Sequence, residues 1–93
     1  INKKKAIKFY KLAADNGHPE AMFDYAMKLY LGKDTELNKK EAAKYYKMSA
    51  DKGQIEAMHN YAMMLKKGEG IKANKKESRK YLKMARSSSH KIF

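Results

Sequence analysis

NKKEAAKYYKMSADKGQIEAM (Asn38–Met58) decides how this chain is read, because its first half has already occurred 36 residues earlier as NKKKAIKFYKLAADNG from Asn2. It returns from Asn74 as NKKESRKYLKMARSSS. Overlaying residues 2–37 on 38–73 needs no gap and gives 18 identities in 36 positions, among them Tyr10/Tyr46, Asp15/Asp51, Gly17/Gly53, Tyr25/Tyr61 and Gly32/Gly68. A fixed period of this size is the mark of a solenoid, in which each unit covers the apolar face of the one before it.

Each unit reads as two helices. Residues 3–16 carry Ala6, Phe9, Tyr10, Ala13 and Ala14 at i, i+3, i+4, i+7 and i+8, one apolar stripe, and Gly17 stops them. Pro19 opens a second helix through Leu31 that buries Ala21, Met22, Tyr25, Ala26 and Leu29. Asn38 caps the third, with Glu41 completing a capping-box-like pair. Its stripe is Ala42, Tyr45, Tyr46, Ser49 and Ala50. Residues 55–67 repeat the second helix with Ala57, Met58, Tyr61, Ala62 and Leu65. Asn74 and Glu77 open a fifth helix, 75–88, that buries Tyr81, Leu82 and Ala85. Nothing alternates with period two. Short loops make neighbouring helices antiparallel, so the expected class is all-α: an α-solenoid of antiparallel helix pairs.

Composition narrows the function. The 93 residues include 22 basic and 10 acidic ones, a net charge of +12, with no cysteine and one proline. Disulfides and thiolate metal sites are excluded. No apolar run approaches the ~20 residues of a membrane span, and no signal-peptide pattern is present, which favours a cytoplasmic location. His18, His59 and His90 fall in no metal-ligand spacing. Ser87-Ser88-Ser89-His90 is no triad signal, since adjacency in sequence does not supply a nucleophile's geometry. Each glycine sits at a helix end or turn rather than in a phosphate cradle. No catalytic residues, metal or cofactor are expected.

The residues resemble the Sel-one-like repeat (SLR) family, relatives of the tetratricopeptide repeat. The family's first helix and loop, A-x-x-x-L-G-x-x-Y followed by G-x-G-V/I, are matched by AMHNYAMMLKKGEGI (Ala57–Ile71). Its second helix, A-x-x-W/Y-Y-x-x-A-A-x-x-G, is matched by AIKFYKLAADNG (Ala6–Gly17) and AAKYYKMSADKG (Ala42–Gly53). The resemblance implies a right-handed superhelix and a single array over 1–93. In the family's phase, 3–17 is an orphan second helix, 18–53 and 54–89 are whole repeats, and 90–93 is a stub. The array is expected to continue upstream of the orphan helix and to end at Arg79 and Arg86, charges that replace Ile7/Ala43 and Ala14/Ala50 on what would be a solvated capping face. Three departures stand out. Tyr25-Ala26 and Tyr61-Ala62 replace the family's Leu-Gly pair, the first loop reads Gly32-Lys33-Asp34 and should differ from Gly68–Gly70, and no cysteines clamp the hairpins.

The resemblance also implies a non-catalytic scaffold or adaptor for protein–protein interaction, with the first helices of each repeat lining a concave groove. There Glu20, Phe23, Met27 and Tyr30, then Glu56, His59, Met63 and Lys66, are expected to face a partner peptide or helix. Phe23, Met27 and Tyr30 form an exposed strip at i, i+4 and i+7, where an apolar partner segment docks. Aspartate at Phe23 and Met27 is therefore expected to abolish capture without unfolding the chain. The alternative is weak contact with a polyanion, nucleic acid or anionic lipid, through Lys4, Lys8, Lys11, Lys40, Lys44, Lys47, Lys76, Lys80 and Lys83 on the outer helices. Exposed repeat ends are expected to let the fragment self-associate.

Overall fold

The computed structural model describes residues 3–90. Five helices follow one another: α1 (Lys3–Asp15), α2 (Pro19–Leu31), α3 (Lys39–Asp51), α4 (Ile55–Lys67) and α5 (Lys75–His90), with no strand among the described residues. Each packs against its chain neighbours, most extensively α2 with α3 and α4 with α5. The result is a slab of 39 × 32 × 17 Å. Of the stub at 90–93, residues 91–93 lie outside the described residues.

The helix starts follow from the capping residues. Asn38 Oδ1 accepts from the Glu41 N–H and Asn74 Oδ1 from the Glu77 N–H, both at 3.0 Å. The glutamates do not close the reciprocal half of a capping box. The Asn38 N–H donates instead to the Leu29 carbonyl, and the Asn74 N–H to that of Leu65. Each cap thereby pins the start of one helix to the end of the previous one, while Glu41 and Glu77 lean towards Lys44 and Lys80.

The two long loops run alike, contrary to the expectation from Gly32-Lys33-Asp34. Gly32 and Gly68 both take positive φ and cap their helices with matching bonds, and Asp34 at φ 64° occupies the left-handed position that Gly70 holds at φ 73°. Asp tolerates that region better than most L-residues, and its carboxylate reaches Lys28 at 3.4 Å. Gly70 has less freedom, because a Cβ there would collide with the Lys39 carbonyl.

Most of the expected stripes are buried. All five stripe residues named for α3 and all five for α4 are in the core, joined by Ala43 and Met64. Ala6, Tyr10, Ala13, Ala21 and Leu82 are half-buried. Phe9 is 70% exposed, although its counterpart one period on, Tyr45, is 3% exposed. Tyr45 lies edge-on to Tyr25 of α2, at 4.8 Å between ring centres, whereas no described helix precedes α1 to cover Phe9. Arg79 and Arg86 are exposed as well.

The repeats are fastened by one polar contact made twice. The Tyr45 hydroxyl donates to Asp15 at 2.6 Å, and the Tyr81 hydroxyl to Asp51 at 2.7 Å. Lys11 and Lys47 complete the pattern from one turn back, each 2.9 Å from its aspartate. Tyr61 meets Tyr81 as Tyr25 meets Tyr45, at 4.8 Å and near a right angle, so Tyr25 and Tyr61 have like surroundings. The hydrogen bonds from Tyr45 and Lys11 hold the Asp15 carboxyl below its usual range. Burial pushes Asp51 up, but bonds from Lys47 and Tyr81 outweigh it and leave that carboxyl lowered too.

Gly70→Ala is expected to cost roughly 3 kcal/mol in urea unfolding, because strain at positive φ adds to the collision. Gly53→Ala has nothing within 4 Å of the new Cβ and should cost only about 1 kcal/mol. Lowered carboxyl pKa values contribute stability that is complete above the unfolded aspartate value near ~4 and is lost as pH falls through the folded value. The Tyr45→Phe/Tyr81→Phe variant should therefore be less stable at pH 7, by about 1 kcal/mol per bond. The gap from wild type should narrow below about pH 4, and unfolding midpoints across pH 7 to 2 read it directly.

Candidate functional site

The sequence of α2 places Met27, Tyr30 and Leu31 on its last two turns before Gly32 stops the helix. One repeat later, α4 places Asn60, Met63, Met64 and Lys67 at the same level. Between them lies an open cavity of about 270 Å³, lined by these residues together with Tyr46 and Glu69. Tyr46 and Met64 are buried and form its floor, while Leu31 at 59% and Met63 at 42% exposure present apolar side chains to solvent. Apolar surface gathered in a concavity is what a docking side chain covers, and methionines adjust their shape to what enters.

The polar wall is built by the loop after α4. The Glu69 N–H donates to the Met64 carbonyl, which fixes the residue just past the helix end. Its carboxylate accepts from the Tyr30 hydroxyl at 3.0 Å and from Lys39 Nζ at 3.0 Å, and Lys39 also stands 5.1 Å over the Tyr30 ring. The Lys39 and Tyr30 hydrogen bonds hold Glu69 below the usual carboxylate range, and the Glu69 bond, with burial, raises Tyr30. Glu69 thus stays ionised and Tyr30 stays a donor. On the floor, burial raises the Tyr46 phenol while Asn60 bonds to it and opposes the shift.

The structure brings together only part of the expected groove set. Met27, Tyr30 and Met63 line the cavity. Phe23 does not belong to an exposed strip: it is 7% exposed and packs against Tyr46 with ring centres 5.8 Å apart. Tyr30 and Met27 are half-buried, so the strip is a partly covered edge of the core rather than a free face. Glu20 and Glu56 do not line the cavity; burial and then the charge of Glu20 raise the Asp24 carboxyl, with Lys28 opposing the rise and Glu56 adding to it. His59 and Lys66 are exposed on α4 and do not line the cavity. Sequence reasoning missed Leu31, Tyr46, Asn60, Met64, Lys67 and Glu69. The one available signal was the acid inside Gly68-Glu69-Gly70, where the first loop has Lys33.

The nine outer lysines Lys4, Lys8, Lys11, Lys40, Lys44, Lys47, Lys76, Lys80 and Lys83 are all exposed. Lys11, Lys44, Lys47 and Lys80 each have a carboxylate within 4 Å. No group of three or more His, Asp or Glu able to hold a metal occurs among the described residues. No helix among them is long and apolar enough to cross a membrane.

The family model described as Sel1 repeat matches residues 2–18, 19–54 and 55–90. Among solved structures, a protective antigen of uropathogenic Escherichia coli displaying an SLR fold superposes with a TM-score of 0.86 at 27% identity, over 91% of this chain and 18% of that one. A Sel1 repeat protein from Oxalobacter formigenes gives 0.88 at 25% identity, over 91% and 35%. Cysteine-rich protein B of Helicobacter pylori gives 0.89 over 95% and 66%, and at 19% identity the likeness is of fold alone. This chain therefore spans less than two thirds of each of these proteins. No curated protein matches it.

The burial of Phe23 changes what a groove mutation reports. Phe23→Asp removes a core ring and buries a carboxylate, and it should cost about 3 kcal/mol or more in urea unfolding. Met63→Asp, on an exposed side chain, should stay within about 0.5 kcal/mol of wild type.

Proposed function

Since the chain belongs to the Sel1 repeat family, whose members are helical repeat scaffolds, we propose that it is a non-catalytic adaptor holding a partner peptide or helix in the cleft between α2 and α4. The observation that carries this reading is the cleft itself: exposed Leu31 and Met63 beside half-buried Met27, over a floor of Tyr46 and Met64. A partner would bury this apolar surface, and the Glu69–Tyr30–Lys39 cluster offers polar contacts at one rim. Glu20, Asp24 and Glu56 lie on the other half of the same helices, so a bound segment would meet acidic side chains there.

The outer lysines support the polyanion alternative less well. At least four of the nine already have carboxylate neighbours, and Tyr45 and Tyr81, the tyrosines beneath them, are buried rather than offered for base stacking.

Peptides selected from a random display library on the purified chain test the cleft. With methyl-labelled methionine, such peptides are expected to shift the Met27, Met63 and Met64 signals. They should bind the Leu31→Asp/Met63→Asp variant at least roughly tenfold more weakly, with little dependence on salt. Peptides that leave these methyls unmoved and bind the variant equally would overturn the reading. Binding that falls steeply with log salt would favour the lysines.

A further inference from the structure

The chain has only two arginines, and the fold puts both on one face. On α3, Ser49 and Tyr45 face α2: Ser49 Oγ donates to the Pro19 carbonyl, and Tyr45 meets Tyr25. The opposite flank of α3, Ala43 and Ala50, is at most 1% exposed and receives α4. In α5 the first of these flanks is again engaged, with Ser78 Oγ on the Ala62 carbonyl and Tyr81 on Tyr61. The second flank, 36 residues after Ala43 and Ala50, carries Arg79 and Arg86. Both are exposed, and among the described residues neither has a carboxylate within 4 Å, whereas Lys44 and Lys80 on the outer helices do. Half-buried Leu82 lies between them, in the place of Tyr46.

This flank has the shape that accepts a helix, because α3 accepts α4 on the same flank. Its chemistry differs: small side chains that allowed close approach are replaced by two arginines whose Cα atoms are about 10 Å apart, two turns along one helix. A guanidinium presents paired donors matched to a carboxylate. A second copy of this chain is a poor occupant, since the open side of α1 sets Lys5 and Lys8 around Phe9 and Leu12 and would bring like charges together.

We propose that the outer flank of α5 docks an acidic amphipathic helix of a partner protein, with carboxylates two turns apart on Arg79 and Arg86 and an apolar side chain between them on Leu82. This surface is separate from the α2/α4 cleft and does not depend on it. An anionic membrane or a nucleic acid would use the charges but would have no need of the two-turn spacing or of Leu82.

The test uses a labelled helical peptide with Glu at two positions seven apart and Leu at the third and fourth positions between them, titrated against the 93-residue chain by anisotropy. Binding should weaken roughly tenfold with Arg79→Glu/Arg86→Glu and recover when the two peptide glutamates become lysines. Both arginines are exposed, so the variant should keep its melting curve. Leu82→Ala should weaken the Glu peptide but not binding to phosphatidylserine vesicles. The proposal is overturned if the Glu peptide binds no better than its Gln counterpart. It is equally overturned if charge reversal leaves the affinity unchanged, or if only the vesicles or a DNA duplex bind in an Arg79- and Arg86-dependent way.

Discussion

A phenol from one repeat resting on an aspartate of the previous repeat is the contact on which this fold turns. Tyr45 reaches Asp15 and Tyr81 reaches Asp51 across one period. Each bond does two things at once. It satisfies a hydroxyl that the buried ring would otherwise leave without a partner. It also sets the stagger between successive outer helices, because the donor and the acceptor must coincide in space. The hydrophobic stripes supply most of the driving force, yet apolar surfaces tolerate sliding. The directional bond, with the Asn38 and Asn74 N–H groups anchored on Leu29 and Leu65, selects one arrangement.

Much of this architecture was legible in the sequence because the chain states it nearly three times. The limits of α2 and α4, the asparagine caps and the cores of α3 and α4 depend on local spacing and on one neighbour, and repetition reinforces both. Phe23 was misread because helical spacing placed it outside the stripe, while its burial depends on Tyr46, a ring on another helix. Phe9 was misread for the opposite reason: its spacing is right, but a stripe is buried only where a neighbour covers it. Asp34 shows a third limit. Residue identity suggested a different loop, whereas the pull of two flanking helices imposed the backbone of its glycine-containing counterpart.

The candidate cleft was half legible. Met27, Tyr30 and Met63 were found by extending the repeat phase. Glu69 required knowing how a loop folds back against the preceding unit, and Leu31 how closely the end of α2 faces α4, neither of which periodicity encodes. The polar wall is also where the repeats differ most. Glu69 bridges Tyr30 and Lys39, while Lys33, its counterpart, has the opposite charge. Recognition, as we propose it, is written in the residues that break the repetition, and the scaffold in those that obey it.

Because Tyr and Asp sit within the same 36-residue span, a duplicated span arrives carrying both its own hook and its own eye. Lengthening such a protein by copying a cassette of its gene needs no invented interface, since the copy fastens to its parent as the parent fastens to its predecessor. Phe9, where a hook would be, and Ser87, where an eye would be, mark the units whose sequence has drifted from that rule.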